Sequence, residues 1–303
     1  MLMQDVDGYL ALRRSLGFPL RGTELLLRSF VRAAAAAHDT HIVSSTAIRW
    51  AGLSSSEAQR NRRLRTVCLF ARFMHAEDSR HEIPPDNVYC GQRPRVAPYI
   101  FTDEELRQIS REAQRQGRPG SLLPYTFDTF FSLIAATGMR PSEARNLRLA
   151  DLSSEGIIVR EAKFRKTRFI PLHPSSVASL EGYLGRRQQA RSADDHFFIS
   201  TRGRCFSEER VREVFRRVLK ACGIPQRPVV RAPRLMDLRH TFAVRALETC
   251  PDGRRGVRQH MLALSTYMGH SHVRDTYWYL ENTPELMRDI AEVTEAFVYG
   301  GGK

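Results

Sequence analysis

Two arginines, a histidine and two tyrosines stand in three short segments of the second half of the chain. Arg140 lies within residues 137–143, Arg239 within 237–241, and His270 ahead of the tyrosine pair within 266–279. Guanidinium groups can neutralise the charge that grows on the non-bridging oxygens of a phosphodiester under attack. A phenol can be the attacking nucleophile, and a further acid must protonate the leaving oxygen. These residue types therefore suit one reaction, the direct transesterification of a phosphodiester.

Each arginine position has an alternative explanation when it is considered alone. Arg140 follows Gly138, which is placed to end a helix, and precedes the helix start that contains Glu143. Glu143 could hold the Arg140 guanidinium in place, but an ordinary surface arginine fits the same pattern. Arg239 opens an amphipathic helix, and a buried arginine there would need an anion, either a phosphate or an acid such as Asp237.

The histidine and the tyrosines are ambiguous in the same way. His270 lies in a Gly-His-Ser turn, and a lone histidine is more often structural than catalytic, so its value comes from this position. Tyr277 and Tyr279 are two residues apart and on a helix would point to nearly opposite sides. Only one can face a site, and we expect the other to pack with Trp278 or Leu280 in the core.

The charge balance indicates a polyanionic partner. The 303 residues include 47 Lys and Arg against 33 Asp and Glu, a net charge of +14. A soluble basic surface is the alternative, but nucleic acid is favoured. The residues expected to contact DNA are Arg60, Arg62, Arg63, Arg65, Arg93, Arg95, Lys166 and Arg168. The first four, on one helix, fit a solvated helix face nearly as well.

Composition excludes several other classes. No apolar run approaches membrane-spanning length, and the N-terminus lacks a signal-peptide core. The five cysteines form no CxxC pair, which disfavours a zinc site or a disulfide framework. No carboxylate cluster suggests a catalytic metal. We therefore expect a cytoplasmic protein with reduced thiols and without metal, cofactor or membrane partner.

The elements that must position these residues divide into two domains. Residues 1–82 are expected to form a helical DNA-binding domain, 83–99 a proline-rich linker, and 100–298 a catalytic domain. In the second domain, helices are predicted from 103 onward and at about 124–136, 175–190, 208–221, 237–249 and 285–297. Strands at 156–163 and 168–172 would form a hairpin around a turn at 164–167. The fold class is mainly α with one small β-hairpin.

Taken in order, these segments resemble the motifs of the tyrosine recombinase (phage integrase) family, over nearly the whole chain. The matching segments are 136–143, 162–172, 236–243 and 268–271, with the tyrosine last. The resemblance implies that Arg140 and Arg239 are the catalytic arginines, that His270 assists them, and that Tyr279 rather than Tyr277 is the nucleophile. In the hairpin, the register counted back from Pro171 selects Lys163, not Lys166, as the catalytic lysine.

The resemblance also implies a fold and a mechanism. A helical core-binding domain would precede a catalytic domain of the type IB topoisomerase kind, and the two would clamp a DNA duplex. Tyr279 would form a 3′-phosphotyrosyl link without ATP or metal, and Lys163 would protonate the departing 5′-hydroxyl. A homotetramer on two synapsed sites, alone or with other recombinases, would serve a mobile element. The resemblance also implies a bacterial protein that is associated with the nucleoid. A C-terminal helix at about 284–297 would dock on a neighbouring protomer, or else on its own core.

One position departs from the family pattern. The second motif usually begins with a histidine, and here that place holds Met236, whose thioether cannot relay a proton. His240 does not simply substitute, because it stands four residues further along. The enzyme is then slower, or is compensated by another group, or the chain is a catalytically weakened DNA-binding accessory or regulatory protein. A relaxing topoisomerase and a purely structural basic protein are the remaining alternatives.

Overall fold

The protein is described by a computed structural model over residues 2–18, 20–89, 96–118, 120–160, 167–225, 228–229, 231–249, 253–270 and 272–279. The chain divides into two units, Met1–Arg95 and Val96–Lys303. The division falls within the segment expected to be a linker. The assignment of one unit to DNA binding and the other to catalysis stays a prediction.

The first unit consists of four helices, α1 (Leu2–Ser15), α2 (Arg21–Ala36), α3 (Ser44–Gly52) and α4 (Glu57–Glu77). Ser56 caps α4, because its hydroxyl accepts a hydrogen bond from the backbone N–H of Gln59. Helix α4 buries residues at helical spacing, among them Leu64, Val67 and Ala71. Aromatic side chains of α1 to α4 meet in the core of this unit.

The second unit is also largely helical. Its elements are α5 (Asp103–Ala113), α6 (Leu123–Thr137), α7 (Pro141–Arg145), a 3₁₀ turn (Leu149–Asp151), β1 (Gly156–Val159), β2 (Arg168–Pro171), α8 (Pro174–Gln189), α9 (Glu208–Ala221), α10 (Met236–Glu248), α11 (Gly253–Met268) and α12 (Arg274–Tyr277). Thr102 and Glu105 form the capping box that opens α5. The strands pair antiparallel, with Gly156 opposite Pro171 and Val159 opposite Arg168. The predicted fold class, mainly α with a small β-hairpin, is confirmed.

Helix α6 lies at the centre of this unit. It is apolar on most of its surface, packs against α5, α8 and α10, and buries Phe127, Phe130 and Phe131 in an aromatic core. It ends at Gly138, whose φ of 61° is the left-handed conformation that stops a helix. The chain therefore turns at a fixed point just before Arg140.

Helix α11 is missing from the sequence prediction, which placed nothing regular between residues 249 and 266. Two glycines and three basic residues at its start obscure its pattern. Met261, Leu264 and Met268 are nevertheless buried at helical spacing, and they pack against α10 and Tyr279. This packing holds the segment that carries Tyr279 against α10. The predicted helix at 285–297 lies outside the described residues.

Among the helices that the structure describes, none combines the length and apolar character needed to cross a bilayer.

Candidate active site

The turn between α6 and α7 fixes Arg140 through its own acidic neighbour. Arg140 precedes Pro141, the first residue of α7. The Glu143 carboxylate accepts hydrogen bonds from the Arg140 backbone N–H at 2.9 Å and from its guanidinium at 2.7 Å. The same guanidinium donates to the backbone oxygen of Gly269 at 2.8 Å. Arg140 thus joins the turn after α6 to the turn after α11.

Glu143 also binds a second arginine. Arg168, at the start of β2, donates to both carboxylate oxygens of Glu143, at 3.0 and 2.7 Å. Burial alone would raise the pKa of Glu143, but the hydrogen bond and charge of Arg168 and the hydrogen bonds from Arg140 outweigh it and lower the pKa to about 2. Arg168 was expected to contact DNA, but the structure places its guanidinium in this buried bidentate pair. Nothing in the sequence signals a partner so distant along the chain.

Arg239 is buried at the start of α10, with 2% of its surface exposed. Its guanidinium donates to the backbone oxygens of Gly138 at 2.6 Å and Met268 at 2.8 Å. Asp237, one of the alternative anions considered for it, instead accepts two hydrogen bonds from Arg231. Among the described residues, no carboxylate forms an ion pair with Arg239. Burial and the nearby Arg140 charge lower the pKa of Arg239 to about 10, which leaves it charged at neutral pH.

The two guanidiniums share one framework. Arg239 and Arg140 bind the successive carbonyl groups of Met268 and Gly269, and Arg239 also binds Gly138. Three backbone oxygens from two turns therefore hold two positive charges close together. Like charges repel, so this arrangement favours an anion between or beside them.

His270 follows directly on this framework. Its Nδ1 lies 2.7 Å from the hydroxyl oxygen of Thr276, and its ring stacks on that of Tyr279 with an interplanar angle of 14°. The Thr276 contact was not anticipated from the sequence, although a threonine between the histidine and the tyrosines is a visible candidate. The contact fixes the imidazole beside the tyrosine.

The two tyrosines have opposite environments. Tyr279 is 2% exposed, and its hydroxyl lies 3.0 Å from Nδ1 of His240. Tyr277 is 50% exposed, so the expectation that the second tyrosine packs in the core is wrong. Trp278 packs edge-on against the His240 ring. The structure therefore brings Tyr279, and not Tyr277, to the histidines of the site.

His240 is a titratable neighbour of the Tyr279 hydroxyl. Burial lowers the pKa of His240 to about 4, and the charges of Arg239, Arg231 and Arg234 add to the effect while Asp237 opposes it. The imidazole is therefore neutral at physiological pH. Met236 stands one turn earlier, as the first residue of α10, and is half-buried.

The other residues predicted for DNA contact or catalysis either lie in the first unit or fall outside the described residues. Arg60 donates to the backbone oxygen of Ser54 at 2.7 Å, and Arg63 to that of Trp50 at 3.3 Å. Arg62 and Arg65 are exposed on α4. Lys163, Lys166, Arg93 and Arg95 lie outside the described residues.

Fold and site together define a protein equipped to hold a phosphodiester with two arginines next to a phenol. In agreement, residues 100–285 match the phage integrase family. The protein y4rB of Sinorhizobium fredii, whose name describes it as an integrase/recombinase, is 35% identical to this chain over 94% of each chain. A tyrosine recombinase XerD of Rhizobium meliloti is 26% identical, over 80% of this chain and 76% of its own.

Solved structures share the fold. The Tn1549 transposon integrase, in complex with transposon right end DNA, aligns with a TM-score of 0.64 at 18% identity, covering 96% of this chain and 99% of its own. The XerH site-specific recombinase aligns with the same TM-score at 16% identity, covering 90% and 78%. The chain belongs to the phage integrase family, and its activity is that of a tyrosine-type site-specific recombinase.

Proposed function

We propose that this chain cuts and rejoins double-stranded DNA through a 3′-phosphotyrosyl intermediate formed on Tyr279. The observation that supports this most strongly is the burial of the Arg239 charge, which among the described residues has carbonyl partners but no carboxylate. A buried charge without a counter-ion is costly, and a bound phosphate would offset that cost. Arg140, beside it, supplies a second cation for the same anion.

Each side chain has a role in this mechanism. The Tyr279 oxygen attacks phosphorus, and the bond to the 5′ oxygen breaks. Arg140 and Arg239 bind the non-bridging oxygens, since each guanidinium has five N–H donors and their carbonyl and carboxylate partners use only some of them. His270 adds a hydrogen bond, and Lys163 protonates the 5′ oxygen. The 5′-hydroxyl of a partner strand then attacks the phosphotyrosine and releases the enzyme, so that neither ATP nor metal is consumed.

The neighbours suggest the assembly. A lambda integrase tetramer was solved on a Holliday junction, and XerH was solved on its difH substrate. We propose the same kind of assembly here, four copies on two DNA sites in the cytoplasm, with the first unit binding DNA and residues 284–297 docking between copies. The exposed Arg62 and Arg65 are candidates for phosphate contacts. Arg60, Arg63, Arg93, Arg95 and Lys166 stay candidates as well. A mobile-element role is in keeping with the transposon integrase among the neighbours.

Met236 supports a second candidate function, a DNA-binding accessory protein that cleaves poorly. A duplex with a nick near the cut site discriminates between the two, because the short fragment diffuses away and traps the covalent adduct. The enzyme should form an adduct that is lost in Tyr279→Phe, with DNA affinity unchanged. Tyr277→Phe is the matched control and should react like the wild type, because that phenol points to solvent. DNA binding without any adduct would instead support the accessory protein.

A further inference from the structure

We propose that His240 accepts the phenolic proton of Tyr279 during cleavage and returns it during rejoining, in place of the family's histidine at the position of Met236. The proposal rests on the assignment of Tyr279 as nucleophile. It changes the expectation drawn from the sequence, where His240 was set aside as too far from position 236. It adds a catalytic role for a residue that the family resemblance left without one.

The geometry places His240 on the reacting atom. Its Nδ1 lies 3.0 Å from the Tyr279 oxygen, within the range for proton transfer to a general base. The two rings are 5.6 Å apart, and Trp278 packs edge-on against the imidazole. His240 and Met236 are four residues apart on α10, so both lie on one helix face, about 5–6 Å from each other. A histidine one turn further along can therefore serve the same phenol.

Other described titratable groups near the site have hydrogen-bond partners of their own. Nδ1 of His270 binds Thr276. Asp237 is fully buried and accepts three hydrogen bonds, two from Arg231 and one from the backbone of Arg234. Glu143 is bound by two arginines. His240 contacts the phenolic oxygen directly, and its Nδ1 is placed to accept the proton.

Its protonation state fits the task. Burial lowers the pKa of His240 to about 4, so the ring is neutral at physiological pH and one nitrogen carries a lone pair. The proposal assigns that lone pair to Nδ1, with the proton on Nε2. The cations Arg239, Arg231 and Arg234 weaken the base, while Asp237 strengthens it. A phosphate bound by Arg239 would partly cancel that cation and strengthen His240 when DNA arrives.

The step balances in atoms and charge. The O–H bond of Tyr279 breaks, its proton moves to Nδ1 of His240, and the phenolic oxygen bonds to phosphorus as the bond to the 5′ oxygen breaks. The 5′ oxygen takes its proton from a separate acid, assigned above to Lys163. In the reverse step, the imidazolium returns its proton to the departing Tyr279 oxygen.

The test measures the rate of adduct formation on a nicked duplex in a single turnover, for His240→Asn and His240→Ala. Asparagine keeps a hydrogen-bonding oxygen near the position of Nδ1 but cannot accept the proton. Both variants should cleave about 10²-fold more slowly than the wild type, with unchanged DNA affinity. His173→Asn is the control, because His173 is an exposed N-cap that asparagine replaces well, and its rate should not change.

Three further measurements separate a base from a structural residue. Added imidazole should restore His240→Ala, whose cavity can admit it, but not Tyr279→Phe. The rate of His240→Ala should rise about tenfold per pH unit between pH 7 and 9, because the phenol must now ionise unaided. A substrate with sulfur at the 5′ bridging position needs no leaving-group acid and should leave the His240 defect uncorrected.

The outcomes distinguish failure of this proposal from failure of the function. If the wild type forms an adduct and His240→Asn forms it equally fast, His240 is not the base. A second outcome would also overturn the proposal: both variants are slow, Trp278 fluorescence shows that they are folded, and neither imidazole nor raised pH restores the rate. The role of His240 would then be structural. If the wild type itself forms no adduct, the recombinase mechanism fails instead.

Discussion

Replacement of Glu143 by glutamine tests whether one buried carboxylate holds Arg140 and Arg168 in place. The side chain of Glu143 is 6% exposed and is bound by Arg140 and Arg168, whose side chains are 19% and 11% exposed. Glu143→Gln keeps the shape but removes the counter-charge of two partly buried cations. We expect the second unit to lose stability and Arg140 to lose its alignment.

The magnitude follows from the pKa of Glu143. A fall from 4.5 to about 2 corresponds to about 3 kcal/mol of stabilisation, at about 1.4 kcal/mol per pH unit. Loss of one partner from a buried pair costs about 3–5 kcal/mol in general. Because the folded-state pKa is lowered, this stability is complete above pH 4.5 and is lost as the pH falls towards 2. The loss in Glu143→Gln should therefore be about 3 kcal/mol at pH 7.

The assay uses the two tryptophans, which lie one in each unit. In a Trp50→Phe background, the fluorescence of Trp278 reports on unfolding of the second unit in urea. Glu213→Gln is the matched control, since Glu213 also binds two arginines but is half exposed, and it should change little. A Glu143→Gln midpoint within error of that of Glu213→Gln would refute the reasoning.

Three further predictions concern the residues around this framework. Gly138→Ala should unfold the second unit more easily by at least about 2 kcal/mol, measured in the same urea assay, because a Cβ there would lie 2.4 Å from Phe242 in addition to the strain of a positive φ. Gly223→Ala, with positive φ but open space, isolates the strain and should cost less. Met236→His should raise the adduct rate, and an unchanged or lower rate would mean that the local geometry has already adapted to methionine. As the pH is lowered from 6.5 to about 4, the free energy of unfolding of the wild type should fall relative to that of His240→Asn by about 1.4 kcal/mol per pH unit. The reason is that the unfolded state gains a proton on His240 that the folded state excludes. Parallel curves of stability against pH would contradict this.

The sequence predicted the parts of the fold that have local signals. The capping box at Thr102, the glycine after α6 and the hairpin strands at 156 and 168 each depend on residues adjacent in the chain. Helix α11 was missed because glycines and arginines at its start mask an apolar pattern that only packing against α10 completes. Local propensity is thus a sufficient guide only where a helix carries its own start and stop signals.

In the site, too, only the features with local sequence signals could be predicted. Motif order predicted Arg140, Arg239, His270 and Tyr279 as site residues, and the structure brings these four into one region. The partners of these residues could not be predicted, because carbonyl groups of distant turns hold the arginines and Arg168 reaches Glu143 from another element. Such pairings depend on how helices and strands pack in three dimensions, which the sequence alone does not reveal.

The carbonyl partners also decide which substitutions can report on mechanism. Arg239 binds Gly138 and Met268, and Arg140 binds Gly269, so each arginine ties together turns that are distant in the chain. Loss of either guanidinium would leave backbone carbonyl groups without a hydrogen-bond donor, and it would also remove a contact to the proposed phosphate. A fall in activity would therefore combine a structural effect with a chemical one. Tyr279→Phe and His240→Asn remove a proton donor and a proton acceptor while keeping most of the packing. The chemistry of this site is therefore best tested at its proton path, and its architecture at its arginines.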